Sequence, residues 1–406
     1  MKALFRRVFL YCLRSFPGLW ATLNRFRPFY RFMNRMVINF SIGIAKRRPH
    51  PFSTLAPYTS WSSLTDKTYL GRHLPAKPYP ADLPAYKTVS EVFRRPAGGG
   101  RLCPKSTLLF PVFAQYLTDG FLRTDMKDRR RTTSNHDIDL SPLYGRLPKH
   151  TDVLREKSEA QGRRGRLKTQ VIAGEEFPPD LYEANGTTVR AEFVDAATGE
   201  PILDMPIGFH TTPTATSPAL NGHVHRIFAV GGDRANATPL VAMMNTLFLR
   251  EHNRIAGELE GRNPTWDDEQ VFQTARAIVI VIFIKLVVEE YINHITSVAF
   301  PLAADPSGAW TAAWNRPNWM TVEFSLLYRW HPMIPDTIPW QGRAVPSDAM
   351  VLDNRFLTQV GLKEALRMTS ATQACALGLG NTAPFLLPVE DAAILQGRGQ
   401  NVPPYN

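Results

Sequence analysis

The spacing of apolar positions changes near the middle of the chain. After residues 231–232, a Gly-Gly pair, apolar residues recur with the 3.6-residue period typical of amphipathic helices. This period predicts helices over Leu240 to Leu259, Asp267 to Tyr291, Thr321 to Trp330 and Leu362 to Leu377. An earlier helix, Thr107 to Arg123, places Gln115 and Asp119 four residues apart on one face. The pattern predicts a mainly α protein.

The rest of the chain shows weaker periodicity. Short Val, Ile and Phe stretches among Pro, Gly and Thr in residues 175–225 predict small β-hairpins. Residues 49–104 are rich in Pro, Ser, Thr and Gly, which predicts an extended covering segment. We therefore expect residues 1–48 as basic helices, 49–104 as this covering segment, and 105–406 as a helical catalytic domain.

The N-terminal segment combines aromatic residues with arginines, and Pro17 and Pro28 divide it into short amphipathic helices. Such helices can lie in a membrane interface, with aromatic rings among the acyl chains and arginines near lipid phosphates. An arm packed on the body of the protein, or a nucleic-acid-binding tail, would show the same pattern. We expect residues 1–48 to attach the protein to one leaflet.

Composition indicates a globular protein with a local excess of positive charge. Of its 406 residues, 44% are hydrophobic and 20% are charged. Eleven of the 47 Lys and Arg residues precede Asp66, the first acid in the chain, and the other 36 match the 36 acids in number. The net charge of +11 is therefore concentrated in one segment, which argues against a nucleic-acid-binding domain and for contact with an anionic surface.

Several classes of protein receive no support from the sequence. Cys12, Cys103 and Cys375 show no metal-binding or disulfide spacing, which indicates a reducing, cytosol-facing location. The longest apolar run, Ala277 to Ile284, is shorter than the roughly 20 residues of a spanning helix. No signal-peptide cleavage site follows Met1 to Leu13, and no phosphate-binding loop or Gly-x-Ser-x-Gly motif occurs.

One segment combines a tyrosine, a histidine and a proline. Tyr328 and His331 stand three residues apart, which predicts that they share one helical face just before Pro332. Taken alone, a histidine between tryptophan and proline is more often a core imidazole than a metal ligand. Its role is therefore undecided from this segment alone.

Several segments together resemble the animal-type haem peroxidase superfamily, and within it the cyclooxygenase and bacterial fatty-acid dioxygenase branch. They are Leu-Phe-Leu-Arg-Glu-His-Asn-Arg at 247–254, Asn-Pro-Thr-Trp-Asp-Asp-Glu-Gln at 263–270, Tyr-Arg-Trp-His-Pro-Met-Ile-Pro-Asp at 328–336, and Phe-Ala-Gln-Tyr-Leu-Thr-Asp-Gly at 113–120. The resemblance covers most of the chain from Phe16 onward. It implies a haem peroxidase-like helical domain with short β-hairpins, preceded by monotopic membrane-binding helices.

The resemblance implies roles for particular residues. His331 matches the proximal ligand of haem iron, and Tyr328 matches the tyrosine that becomes a radical and abstracts hydrogen from a lipid. A packing tyrosine is the alternative for Tyr328. Ala237 stands where mammalian peroxidases have a glutamate bonded to the haem, so haem b is expected to bind non-covalently.

The distal side departs from the family. Gln115 keeps its family type, but Asp119 replaces the distal histidine and Arg234 matches the distal arginine of mammalian secreted peroxidases. We expect an Asp119–Arg234 ion pair over the haem that lowers the pKa of Asp119 and keeps it basic. The alternative is a surface aspartate and a capping arginine.

Two further sites follow from the resemblance. Asn135, Asp139 and Ser141 resemble the calcium loop of several relatives, but Gly120 stands where that site has a second acid, which favours an ordinary Asx-rich loop. The cyclooxygenase arginine that binds the substrate carboxylate aligns with Ile42. Nearby Lys46, Arg47 and Arg48 can substitute for it.

The sequence therefore predicts haem-dependent oxygenation of a fatty acid through a tyrosyl radical, with associated peroxidase activity. A haem peroxidase of phenols or halides is one alternative. A membrane-attached haem protein with little turnover, because Asp119 replaces histidine, is another. Expected partners are a fatty acid, a peroxide, the membrane surface and a second copy of the chain, but no nucleic acid. Relatives continue past the Pro-Pro-Tyr-Asn end at 403–406, so truncation is expected.

Overall fold

The computed structural model describes residues 2–44, 55, 66–80, 82–206, 226–312, 314, 315 and 318–403. The chain forms two compact units. Unit 1 comprises Met1–Pro49 and Ile280–Asn318, and unit 2 comprises His50–Val279 and Trp319–Asn406. Helices predominate in both, as the sequence predicts, and the expected three-part division of the chain stays a prediction.

The α-helices are α1 (Lys2–Arg14), α2 (Pro17–Leu23), α3 (Arg27–Ile44), α4 (Tyr86–Glu91), α5 (Leu109–Phe121), α6 (Ser141–Tyr144), α7 (Pro148–Leu154), α8 (Pro239–Arg262), α9 (Asp268–Leu286), α10 (Asn293–Ile295), α11 (Pro306–Ala309), α12 (Val322–Leu327), α13 (Arg355–Ala371) and α14 (Leu387–Gly399). Short 3₁₀ turns occur at Ala191–Phe193, His331–Met333, Asp348–Met350 and Pro384–Leu386.

The β-structure consists of short antiparallel pairs. Its strands are β1 (Leu102–Thr107), β2 (Gln170–Ile172), β3 (Glu175–Phe177), β4 (Thr337–Trp340), β5 (Arg343–Pro346) and β6 (Gln373–Cys375). β2 and β3 form a tight hairpin, β4 and β5 form another, and β1 pairs with β6 across the chain. The hairpin predicted within residues 175–225 thus begins slightly earlier, and residues 207–225 lie outside the described residues.

Unit 1 is built on the N-terminal helices. Pro17 begins α2 and Pro28 lies in the first turn of α3, where a missing N–H has no cost. A buried apolar cluster joins these helices to a returning segment of the chain; its members are Leu13, Trp20, Met33, Val37 and Phe300. The predicted division into short helices is confirmed, and the helices also have a core of their own.

The helix after Asp267 is longer than the apolar run suggested. From α9 it continues through a π-helical turn, Val287–Ile292, into α10. Asp267 accepts a hydrogen bond from the N–H of Gln270 at 2.7 Å, as expected of an N-cap. By length and composition, the 28 residues Asp268–Ile295 could cross a membrane, and 33% of their most apolar window is buried in the fold. The expectation that no segment crosses a bilayer stays a prediction, because length and composition alone do not distinguish a spanning helix from a core helix.

Unit 2 is organised around α8, which contains the Leu-Phe-Leu-Arg-Glu-His-Asn-Arg motif. Thr238 caps it by accepting from the N–H of Val241, and Pro239 occupies its first turn. Within the motif, buried His252 contacts Tyr144 Oη at 2.9 Å, and Asn253 exchanges two hydrogen bonds with the main chain of Leu167. These motif residues have a structural role, fixing a neighbouring loop against the helix.

The predicted helix over Leu362 to Leu377 differs from α13 at both ends. α13 begins earlier, at Arg355, and is interrupted at Gly361, whose φ of 79° is in the left-handed region. Its last predicted residues instead form β6, which pairs with β1. Tertiary pairing here outweighs the local helical period.

Candidate active site

Helix α5 carries Gln115 and Asp119, as predicted, on one face. The Asp119 side chain is fully buried beneath the loop at residues 231–234. A Cβ at Gly232 would collide with Oδ2 of Asp119 and lie 3.1 Å from its Cγ. Only glycine lets this loop pass so close to the carboxyl group.

Asp119 has an unusual electrostatic environment. Neither of its carboxyl oxygens accepts a hydrogen bond from any residue that the structure describes. Burial, and then repulsion from Asp233, raises the pKa of Asp119 to about 8, and the attraction of Arg123 and Arg234 offsets only part of this. The expectation of a lowered pKa was therefore wrong, because desolvation outweighs the nearby cations.

The cation paired with Asp119 is not the predicted one. Arg123, one turn further along the chain, places Nη1 3.7 Å from Oδ1 of Asp119. Arg234 instead lies 3.8 Å from Asp233 and donates to the carbonyl of Leu122. The predicted Asp119–Arg234 ion pair is wrong, since the guanidinium of Arg234 bonds to the carbonyl at the end of α5 and lies nearer Asp233.

Arg123 is the centre of a buried ionic network that the sequence did not reveal. Its Nη1 donates to Asp233 at 3.0 Å and its Nη2 donates to Asp204 at 2.7 Å. Arg146 binds Asp204 with two further hydrogen bonds, of 2.8 and 2.9 Å. Although burial opposes ionisation, the hydrogen bonds from Arg146 and the charge of Arg123 hold the pKa of Asp204 below its usual range.

Tyr328 and His331 do not share a helical face. α12 ends at Leu327, Tyr328 has φ −81° and ψ 83°, and His331 begins a separate 3₁₀ turn. In a continuous helix the ring of Pro332 would clash with the carbonyl of Tyr328, four residues earlier. The prediction of one helical face was wrong for this reason.

His331 has the properties of an imidazole available as a ligand. Its side chain is 22% exposed, and its Nδ1 lies 3.9 Å from Oε1 of Glu390. Among the described residues, no group makes a hydrogen bond with this buried Nδ1. Burial, with repulsion from Arg329 and Arg234, lowers the pKa of His331 to about 3, so the ring is neutral at physiological pH.

The segment that carries His331 is held by Arg95, which sequence analysis missed. Arg95 is 1% exposed and donates to the carbonyls of Pro332 (3.1 Å) and Ile334 (2.8 Å), and to Asp336 (2.8 Å). It also donates to the carbonyl of Asn381. One guanidinium thus fixes the main chain directly after the histidine.

Aromatic contacts join the two halves of the site. Tyr328 stacks on Phe324 at 4.9 Å and meets Trp330 edge-on at 5.6 Å. Trp330 in turn contacts Phe110 of α5 at 5.1 Å. Burial raises the pKa of Tyr328 to about 12, so its phenol keeps its proton at physiological pH. The structure therefore brings the segment of Tyr328 and His331 against the helix of Gln115 and Asp119.

The oxygens predicted as possible calcium ligands take part in a local network. Asn135 donates to Asp139 at 2.7 Å, and Asp139 accepts from the N–H of Ser141 at 2.9 Å. Ser141 Oγ lies 3.4 Å from the carbonyl of Gly120, which adds no side-chain oxygen. These contacts are those of an Asx-rich loop. Ile42 is at the end of α3, and Lys46, Arg47 and Arg48 lie outside the described residues.

A groove of about 830 Å³ lies between β1, β4, β6 and α13, with Asp336 and Cys375 in its wall. A shallower one of about 600 Å³ lies beside Arg250. Neither groove includes His331, Tyr328 or Asp119. The candidate site is therefore defined by its polar atoms and aromatic contacts.

Comparison with known proteins identifies the class of this chain. The sequence profile of the animal haem peroxidase family matches residues 115–384, more than half of the chain, and the chain belongs to this family. It is 27% identical to prostaglandin G/H synthase 2 of Bos taurus, over 98% of this chain and 62% of that protein. The protein of that name from Equus caballus is 30% identical, over 92% of this chain and 58% of that protein. The chain thus spans about six tenths of the length of these relatives.

Solved structures share the fold. Peroxidase A from Dictyostelium discoideum superposes with a TM-score of 0.61 at 16% identity, over 87% of this chain and 72% of that one. Fatty acid alpha-dioxygenase from Oryza sativa gives a TM-score of 0.60 at 14% identity, over 84% of this chain and 63% of that one. The mainly helical architecture with short strands is therefore confirmed.

Membership of this family implies a haem cofactor, and the donor atoms present fit one. His331 offers a neutral, partly exposed imidazole with a buried Nδ1 that makes no hydrogen bond to a described residue. Asp119 offers two buried carboxyl oxygens that also accept no hydrogen bond from a described residue. Such atoms are stabilised when a ligand supplies their missing partner.

Proposed function

We propose that this chain is a haem-dependent oxidoreductase that oxygenates a fatty acid and reduces peroxide. The observation that carries the proposal is the neutral imidazole of His331 with the buried phenol of Tyr328 three residues earlier. The family match, the similarity to prostaglandin G/H synthases and the printed name of the fatty acid alpha-dioxygenase support a fatty-acid substrate. A haem held by histidine supplies one-electron oxidation and peroxide chemistry.

The roles of the residues follow from their protonation states. His331 would hold the iron of a non-covalent haem b, since Ala237 provides no carboxyl group for a bond to the porphyrin. Arg95 would keep that imidazole in place through the carbonyls after it. The phenol of Tyr328 keeps its proton at physiological pH. It would give up that proton together with an electron, which haem oxidised by peroxide would accept, and the resulting radical would take hydrogen from the lipid.

On the opposite side, Asp119 would manage the peroxide proton. Because its pKa is about 8, it carries a proton through most of the neutral range and is suited to donate one to a leaving oxygen. Gln115, on the same face of α5, would help to orient the peroxide. Arg234 would contribute positive charge from the adjoining loop.

The test compares two tyrosines whose phenol pKa is raised by burial. Full-length protein loaded with haem is given linoleate, and oxygen uptake is recorded for wild type, Tyr328→Phe and Tyr182→Phe. Burial raises the pKa of Tyr182 to about 12, as it does for Tyr328, so the pair controls for loss of a buried phenol. We expect Tyr328→Phe to lose uptake and Tyr182→Phe to keep it. Equal uptake by wild type and Tyr328→Phe would rule out the tyrosyl route.

A haem protein with little peroxide turnover is the second candidate. It is favoured by the raised pKa of Asp119, because a protonated carboxyl cannot remove a proton from the incoming peroxide. Peroxide-driven oxidation of a phenol distinguishes the two candidates. Turnover that falls to the level of free haem, in protein that binds haem normally, would favour this second candidate.

We also propose that unit 1 attaches to the surface of a membrane. Phe26 and Phe32 are 67% and 66% exposed among the arginines of the N-terminal segment. Flotation with anionic vesicles should be reduced by the double variant Phe26→Glu, Phe32→Glu. Val171→Glu, at an equally exposed apolar position in unit 2, should float as wild type does. Unchanged flotation of the double variant would contradict the proposal.

A further inference from the structure

The buried network around Arg123 has three carboxyl groups that are bound very unequally. Asp204 accepts one hydrogen bond from Arg123 and two from Arg146. Asp233 accepts one from Arg123 at 3.0 Å. Asp119, the most deeply buried, accepts none from the described residues, and its nearest cation is Nη1 of Arg123 at 3.7 Å. Nη1 of Arg123 therefore lies 3.0 Å from Asp233 and 3.7 Å from Asp119, and bonds only to Asp233.

This arrangement is a competition for a single donor. A buried carboxylate needs a hydrogen bond or a close cation to remain ionised, and two carboxyl groups that share one such donor do not both ionise readily. Asp233 is held in place by the loop in which Gly232 passes directly over Asp119. The loop thus fixes which of the two carboxyl groups accepts the hydrogen bond from Nη1 of Arg123.

We propose that Asp233 is a positioning residue that keeps Asp119 protonated, by taking the hydrogen bond of the Arg123 nitrogen that both carboxyl groups approach. Removing the charge of Asp233 frees this nitrogen for Asp119, which then ionises. The charged and titratable groups that face Asp119 are Tyr116 on its own helix, Arg123 just beyond the end of that helix, and Asp233 and Arg234 on the loop. The consequence for peroxide rests on the proposed function, whereas the protonation itself does not.

The test reads the proton on Asp119 directly. Infrared difference spectra of the full-length protein are recorded across the neutral and alkaline range, and the carboxylic acid C=O band lost in Asp119→Asn is assigned to Asp119. In wild type we expect this band to persist at neutral pH. In Asp233→Asn its titration midpoint should fall by about one pH unit or more, because a like charge is removed and a donor is gained.

A matched control comes from the same guanidinium. Asp204→Asn also removes a carboxylate bound to Arg123, but from Nη2, and Asp204 is not among the groups that face Asp119. It should shift the midpoint by less than half as much as Asp233→Asn. Asp233→Glu, which restores the charge, should return the midpoint toward that of wild type. If Asp233→Asn does not fold, Asp233→Ser removes the same charge from a smaller side chain.

Two results would overturn the proposal. One is the absence at neutral pH of any acid band that Asp119→Asn removes, since Asp119 would then be ionised. The other is an equal shift in Asp233→Asn and Asp204→Asn, or none in Asp233→Asn, since the position of Asp233 would then be irrelevant. Neither result depends on turnover, so a failure here is distinct from a failure of the proposed oxygenase activity.

Discussion

The two sides of the candidate site are held together by different kinds of interaction. On the side of His331, Arg95 binds main-chain carbonyls and a single carboxylate, Asp336. On the side of Asp119, arginines and aspartates bind one another in a buried network. Carbonyls do not titrate, whereas buried carboxyl groups do. The difference indicates a rigid proximal side and a distal side that responds to pH.

The largest expected effect tests the rigidity of the proximal side. Arg95→Ala leaves several buried carbonyls without their donor and one carboxylate without its partner, and should lower the free energy of unfolding by about 3–5 kcal/mol. Urea denaturation measures this. The neighbouring Arg94 pairs with Glu91 at the surface, where water screens the two charges, so Arg94→Ala should have a much smaller effect. Equal costs would show that Arg95 does not hold the segment.

A smaller effect tests the close packing on the distal side. Gly232→Ala places a Cβ against the buried carboxyl group of Asp119 and 3.1 Å from the Cα of Pro142, and should cost about 1–3 kcal/mol. Gly261→Ala, in α8 with open space around it, should be neutral or stabilising by up to about 1 kcal/mol. Thermal unfolding gives both values, and a neutral Gly232→Ala would contradict the contact.

The smallest effect is a difference in pH dependence. The folded pKa of Asp119, about 8, lies above its unfolded value of about 3.9, so its contribution to stability declines as pH rises between these values. Asp119→Asn removes that decline and should gain on the order of 1 kcal/mol relative to wild type for each pH unit between these values.

The pKa of Asp204 is shifted in the opposite direction, so Asp204 serves as the control for this measurement. Its folded pKa is lowered, so its contribution is present above the unfolded pKa and is lost as pH falls through the folded one. Asp204→Asn should therefore lose stability relative to wild type at neutral pH, with less loss in acid. Parallel pH profiles for the two variants would contradict the assigned protonation states.

The features that could be predicted from the sequence are those that depend on the local pattern of residues or on a family motif. The period of apolar residues gave α5 and the shared face of Gln115 and Asp119, and the motif around His331 led to the family that the profile match confirms. The end of α12 at Leu327 was also readable, because Pro332 excludes a helical carbonyl four residues earlier. The sequence prediction applied the effect of Pro332 only to its immediate neighbour, and therefore kept Tyr328 in the helix.

The partners of buried charges were beyond the sequence. Arg95 and Ile334 are 239 residues apart, and Arg123 meets Asp204 and Asp233 at separations of 81 and 110. No local rule predicts such contacts. The sign of the Asp119 pKa shift depended on burial, which a pattern of residue types does not measure.

The most direct test of the account is the ligation of haem by His331. Full-length protein is titrated with haem and followed by optical and spin-resonance spectra, beside His331→Ala and His294→Ala, whose histidine is exposed in unit 1. We predict that wild type and His294→Ala bind haem with a histidine-ligated spectrum, and that His331→Ala loses this spectrum. A histidine-ligated spectrum that survives in His331→Ala would contradict the account.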